Sequence, residues 1–229
     1  MFSEANVTLL QNIIRQDLLK AIGETLYMTF LPTIIAFAIG LPLGVLLVTG
    51  AEGGIHPLPK PLMAAVNAVI NLLRSVPFLI LLVVVLPLSR FLVGTTVGSK
   101  AIIAPLAIAA FPFIARLVET SVREVDQGVI EAAQAMGANV FQVIRFFMIP
   151  ETLGSVVLAL TTGTIGLLGA SAMAGYVGGG GVGDLALTYG YEKMNTPLMI
   201  LTVIILVILV QAIQLLGSVI SGKLRAHQS

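Results

Sequence analysis

Of the 229 residues, 57% are hydrophobic and only 10% are charged, the net charge is +1, and the mean hydropathy is +1.04. Soluble domains carry about 25% charged residues, so a water-soluble globule is excluded and an all-α integral membrane protein is expected. Without cysteine there is neither a disulfide framework nor a thiolate metal site, and a near-neutral chain has no bulk attraction to nucleic acid.

The length suits about five spans of ~20 apolar residues each. His56 and His227 lie outside the apolar runs and cannot build a metal centre alone. The N-terminus is polar and amphipathic rather than basic and then apolar, so no cleavable signal peptide is expected. Residues 6–22 place Leu10, Ile13, Ile14, Leu18 and Ile22 on one side and Arg15, Asp17 and Lys20 largely on the other. That pattern predicts an amphipathic helix lying at the membrane interface or packed on the bundle.

The first predicted span, 25–48, is free of charge and holds Pro32 and Pro42. Prolines are tolerated within spans because neighbouring groups re-satisfy the freed carbonyls, and Gly40 and Gly44 offer a small-residue face for close helix packing. A glycine- and proline-rich turn over 52–60 leads to a second predicted span, 62–88, which contains Arg74 followed by Ser75 and Pro77. Arg74 reads either as a gate or partner contact or as an arginine snorkelling to the interface. After a loop over 91–100, the charge-free run 101–115 is short for a bilayer of ~30 Å; extended past Arg116 it gives a third predicted span, 101–118.

Residues 119–150 carry the most polar internal stretch. Val129, Ala132, Ala133, Met136, Val140, Val143, Ile144 and Phe147 recur at helical spacing, while Glu131, Gln134, Asn139, Gln142 and Arg145 occupy the other side. Gly137 interrupts this pattern, since glycine lets a helix end or turn sharply. Helix, tight turn and helix are expected, with a stop before Pro150. A bent polar pair between spans is well placed to meet another protein outside the bilayer.

The fourth predicted span, 152–175, is the richest in small and hydroxyl residues, including Thr161, Thr162, Thr164 and Ser171. Such residues let helices approach closely and equally suit a hydrated route; this span is expected to face the substrate, with Thr161, Thr164, Ser171 and Met173, together with Arg74, as candidates for path or gate. Residues 175–184 include four consecutive glycines and read as a flexible turn or as a loop that docks an outer partner or shapes an outer gate. No Lys-Ser/Thr pair follows, so they are not a phosphate-binding loop. The last predicted span, 197–220, is charge-free, and the tail from Lys223 is basic and polar. Gly217, Gly222 and Lys223 imitate a nucleotide-binding pattern, but Leu224 stands in place of the metal-binding hydroxyl and a membrane helix precedes it; the similarity is chance.

Glu131, Ala132, Ala133, Gly137 and Pro150 match, position for position, the E-A-A…G…I-x-L-P loop of permease subunits of ATP-binding-cassette importers, which the chain therefore resembles; Phe147 and Ile149 replace the preferred isoleucine and leucine. The resemblance extends over Arg74 to Pro87, Pro112 to Arg116 and Ser171 to Met173, and is closest in the methionine-importer branch. Tyr176 and Asp184 depart from that branch, where small and amide residues are expected. The resemblance implies a type I importer permease fold and one transmembrane domain over 1–229, with 119–150 as a cytoplasmic coupling loop. It implies a homodimer served by two ATPase subunits and an extracytoplasmic substrate-binding lipoprotein, importing methionine, D or L, or a close analogue, with another polar amino acid as the alternative substrate. Glu131, Ala132, Ala133, Met136, Gly137 and Ala138 are then the residues that couple to the ATPase, with Glu131 near its helix start favouring the N-terminal dipole.

No catalytic group, cofactor site or metal site is expected in this chain, with ATP and magnesium on the partner ATPase. Basic residues do not fix orientation: on the expected topology six (Lys60, Arg116, Arg123, Arg145, Lys223, Arg225) fall inside and five (Arg15, Lys20, Arg90, Lys100, Lys193) outside. The resemblance implies a bacterial inner-membrane protein with its N-terminus outside and its C-terminus cytoplasmic, which puts Tyr27, Tyr176, Tyr189 and Tyr191 at the outer face. An ion-coupled secondary transporter is the competing class. Such proteins place acidic residues or histidine within their spans, and none of the predicted spans has one.

Overall fold

The computed structural model describes Ile13 and residues 17–226, and every described element is helical. The principal helices are α1 (Leu18–Thr49), α2 (Lys60–Ser75), α3 (Phe78–Val93), α4 (Ser99–Arg123), α5 (Gln127–Ala135), α6 (Ile149–Ala174) and α7 (Thr196–Arg225). Among the described residues, four continuous helical stretches are long and apolar enough to cross a membrane: α1, α4, Val140–Gly179 and α7; the pair α2 and α3, counted as one bent crossing, makes five.

Most of the amphipathic segment expected over 6–22 lies outside the described residues. Its last turn, from Leu18, belongs to α1 itself. Pro32 and Pro42 sit inside α1 without ending it, and the hydroxyls of Thr29 and Thr33 donate to the carbonyls of Thr25 and Thr29 at 2.8 and 2.7 Å, which satisfies them along the helix's own backbone.

Two expectations fail at prolines. The second predicted span is broken: α2 ends at Ser75 and α3 begins at Phe78, because Pro77 holds φ −54° and ψ 134° and the residue before a proline avoids the helical region. Arg74 therefore stands in the last turn of α2, exposed, rather than midway along one continuous span. Conversely, the stop expected before Pro150 is absent. Val143–Met148 widens into a π-helical turn and continues directly into α6, with Pro150 as its second residue. The π turn just before Pro150 widens the hydrogen-bond ladder, which is a common way to absorb a backbone irregularity such as the proline's missing N–H.

The described residues fall into two compact units, one drawn from 1–34, 76–110 and 164–213, the other from 35–75, 111–163 and 214–229. In the second unit, close helix approach depends on glycine. A methyl group at Gly40 would meet Ile114 of α4 at 2.9 Å, and one at Gly44 would meet Val118 at 2.6 Å, so the Gly40/Gly44 face packs as the sequence suggests. Gly217 of α7 leaves no room for a side chain against Thr161 of α6. One turn further along, the Ser221 hydroxyl donates to the Gly154 carbonyl at 2.8 Å. The stretch that imitates a nucleotide-binding loop is thus ordinary transmembrane helix.

In the first unit, Ile13, Ala21, Val182, Leu185 and Leu198 form a buried apolar cluster. The glycine run is an ordered knot rather than a flexible turn. Gly178, Gly180 and Gly181 have φ of +90°, +80° and +86°, a region that side-chain-bearing residues rarely adopt. Gly183 lies directly on the Ala172 backbone, and a methyl group at Gly175 would meet the Gly180 carbonyl at 2.6 Å.

Candidate coupling segment and transport path

The segment around Glu131 is built from paired stop and start signals. Asp126 caps α5, its carboxylate accepting from the Gly128 N–H at 2.7 Å. At the other end, the N–H groups of Met136, Gly137 and Ala138 donate back to the carbonyls of Ala132, Gln134 and Ala133. Gly137 takes φ +84° to close that turn. Asn139 then starts the next turn with a reciprocal capping box: its side chain accepts from the Gln142 N–H at 2.9 Å, and the Gln142 side chain accepts from the Asn139 N–H at 2.8 Å. Helix, turn and helix follow as the residues predict.

The role expected for Glu131 at the helix dipole does not hold. α5 begins at Gln127, no acidic residue lies in its first turn, and Asp126 supplies the negative charge at its N-terminus. Glu131 is instead exposed and lines a cavity of about 520 Å³, with Glu52, Gly54, Arg123, Gln127 and Gln134 among its other walls.

The apolar residues of this segment do not all turn inward. Ala133 is fully buried, and Val143 and Met148 are nearly so, while Ala132 is exposed. Met136 is 73% exposed, Phe141 71% and Phe146 64%. Large exposed apolar groups along a polar bend suit a contact surface; nothing in the sequence sets Phe141 and Phe146 apart from the other apolar residues of the chain.

The fourth predicted span divides into two faces. Thr161, Thr164 and Ser171 are buried; Thr161 donates to the Val157 carbonyl at 2.7 Å and Ser171 to the Leu168 carbonyl at 2.7 Å. Beyond its first turns, the exposed residues of the same helix are Thr162, Gly166, Gly169 and Met173, continued by Tyr176, spaced by three and four. Added methyl groups at Gly166 and Gly169 would meet nothing within 4 Å. Of the candidates for the path, Met173 alone shares this open stripe, and Arg74 stands apart on α2.

Three carboxylates that the predicted spans leave out lie within long helices, Glu24 in α1, Glu119 in α4 and Glu151 in the first turn of α6. Glu24 and Glu119 are held by specific partners. Glu24 accepts from the Gly181 N–H at 2.9 Å and lies 3.8 Å from Lys20, and Glu119 pairs with Arg116 at 2.7 Å and Arg123 at 2.8 Å. Among the described residues, no group of acidic residues and histidine is arranged to hold a metal ion.

The family profile described as "Binding-protein-dependent transport system inner membrane component" matches residues 40–226. The chain is a permease subunit of that family. The permease is 46% identical over 201 residues to the probable D-methionine transport system permease protein MetI of Vibrio cholerae, covering 87% of this chain and 88% of the relative. It is 40% identical over 211 residues to the methionine import system permease protein MetP of Bacillus subtilis, covering 92% and 95%. Among solved structures, the inward-facing MetNI methionine ABC transporter superposes with a TM-score of 0.88 at 43% identity, covering 97% of this permease and 99% of that chain. An amino acid ABC transporter crystallised with histidines superposes at 0.76 with 19% identity, a likeness of fold alone. The type I importer fold and the inner-membrane setting implied by the Glu131–Pro150 motif therefore stand.

Proposed function

We propose that this permease forms the transmembrane path of an ATP-driven importer of methionine, D or L, or a close analogue. A separate ATPase works it through the segment from α5 to Phe146. The observation that carries this reading is the rigidly capped bend that presents Met136 and Phe141 outward, in a chain whose relatives are named as methionine permeases. In this reading ATP and magnesium sit on the separate ATPase, which carries out the hydrolysis; the helical form of Gly217–Lys223 is consistent with that.

In this reading two copies of the permease join, with two ATPases on the cytoplasmic side and a binding lipoprotein outside. The N-terminus is outside and the C-terminus in the cytoplasm. Glu131, Ala132, Ala133, Met136, Gly137 and Ala138 make the coupling contact. Movement of α5 as a rigid lever alternates inward and outward openings. The open stripe Thr162, Gly166, Gly169, Met173 and Tyr176 lines the route, while Thr161, Thr164 and Ser171 hold the helix behind it in place.

Radiolabelled methionine uptake into vesicles, with and without the co-expressed ATPase, tests the proposal. Uptake that requires the ATPase and ATP supports it. Uptake that persists without the ATPase and collapses with an uncoupler sinks it.

A further inference from the structure

We infer that Arg116 clasps α2 to α4, so that the two helices move as one body when α5 is displaced. The inference rests on the reading that an ATPase works on α5. Glu119 is almost fully enclosed, and a buried carboxylate is costly unless it is paired. Its two oxygens are satisfied within α4 itself: Arg116 lies one turn before it at 2.7 Å and Arg123 one turn after it at 2.8 Å. Neutralising Glu119 therefore needs nothing from α2.

The other terminal guanidinium nitrogen of Arg116, Nη2, nevertheless reaches across to α2. There it donates to the side-chain oxygens of Asn67 at 2.7 Å and Asn71 at 3.1 Å. The two asparagines stand one helical turn apart, so they share a face, and a single guanidinium grips both. Asn67 is itself oriented, its amide nitrogen donating to the Met63 carbonyl at 2.8 Å. A planar guanidinium with fixed donors is suited to such a multi-point grip, and a lysine is not.

The position of the clasp gives it consequence. Only Glu124, Val125 and Asp126 separate α4 from α5. That connector is short and tied: the N–H groups of Glu124 and Val125 donate back to Ser121 and Val122, the Glu124 carboxylate accepts from the Ser155 hydroxyl at 2.8 Å, and Asp126 caps α5. A displacement of α5 is thus handed to the end of α4. Through Arg116 it passes to α2, whose last turn carries Arg74 and whose end is the break at Pro77. Arg116, Asn67 and Asn71 are positioning residues, which carry motion without touching substrate.

The test removes only the link between helices. The double variant Asn67→Leu, Asn71→Leu leaves the Arg116–Glu119–Arg123 pairs intact, and Asn67→Asp keeps the acceptor toward Arg116 while giving up the hydrogen bond to the Met63 carbonyl. In vesicles containing the permease with its ATPase, the leucine variant is expected to hydrolyse about tenfold more ATP per methionine taken up, while Asn67→Asp keeps the wild-type ratio. A purely structural role would lower the amount of assembled protein without changing this ratio. The cysteine-free chain also admits spin labels at Leu72→Cys on α2 and Thr120→Cys on α4. Their separation is expected to be narrow and unchanged by ATP in the otherwise wild-type permease, and to broaden when the asparagines become leucine. An unchanged ATP ratio in the leucine variant, or a label separation that shifts with ATP while the clasp is intact, overturns the inference. Absence of uptake in the wild-type assembly would instead defeat the proposed function, and the label distances, read without ATP in wild type and leucine variant, would still decide whether the clasp holds the two helices.

Discussion

The carboxylate of Glu24, on the second turn of α1, accepts a hydrogen bond from the backbone N–H of Gly181 at 2.9 Å, across 157 residues of sequence. Beside it the Thr25 hydroxyl accepts from the Val182 N–H, also at 2.9 Å. The start of α1 thus caps the four-residue helix Gly181–Asp184, whose buried donors would otherwise have no partner. Leaving one such donor unsatisfied costs about 1–3 kcal/mol. Glu24→Ala should therefore lower the melting temperature of the detergent-solubilised permease, while Glu24→Gln, which keeps an acceptor, should leave it close to wild type. Equal effects for the two variants would show that the cap contributes nothing.

Gly137 presents a different kind of constraint. Space is not the limit, since an added methyl group would meet nothing within 4 Å; its φ of +84° is. An L-residue forced there costs about 1–2 kcal/mol, confined to one turn outside the spans. Gly137→Leu is accordingly expected to insert into the membrane and fold, yet to lose uptake, because both the turn and the coupling surface beside Met136 are altered. Cell-surface accessibility and membrane abundance, measured with uptake, separate the two effects. Full transport by this variant would count against the coupling role.

The contact between Gly217 and Thr161 is steric. Gly217→Val should force α7 away from α6 and destabilise the fold by about 1–3 kcal/mol, the usual cost of overpacking. Thr161→Ala makes room at that spot. The double variant Gly217→Val, Thr161→Ala should be more stable than the sum of its parts, since touching residues are not additive. Thermal melts of the three variants in detergent provide the cycle, and strict additivity would mean the helices are not pressed together there.

The stripe on α6 makes the opposite prediction. Gly166 has open space in front of it, so Gly166→Phe should cost the single chain's fold little. If this face lines the route, the phenyl group obstructs it: uptake is lost, while the amount of ATPase retained on purification is unchanged. Retained uptake would place the route elsewhere.

The bend was legible at Gly137, whose effect is confined to near neighbours. The Asp126 cap and the Asn139–Gln142 capping box are equally local, yet the polar residues read as one face of a helix, which put Glu131 near the helix start instead of Asp126. Prolines were less informative. Pro32, Pro42, Pro87, Pro105, Pro112 and Pro150 lie inside helices while Pro77 divides two, and the difference depends on packing around each one. The two faces of α6 were hidden for a related reason. Thr161 and Thr162 are chemically identical neighbours about 100° apart around the helix, and only the approach of Gly217 decides which is buried. The network of Asn67, Asn71, Arg116 and Glu119 joins residues more than forty positions apart and leaves no pattern in either segment alone.

What touches the bend at Met136 decides how the permease is worked. A photo-crosslinking amino acid placed at Met136, in the permease co-expressed with its ATPase and irradiated in native membranes, reads that contact out. A covalent adduct between the permease and the ATP-hydrolysing subunit is expected, at a yield that changes when ATP is added. An ATPase that co-purifies with the permease while Met136 captures only lipid or water would contradict the coupling role.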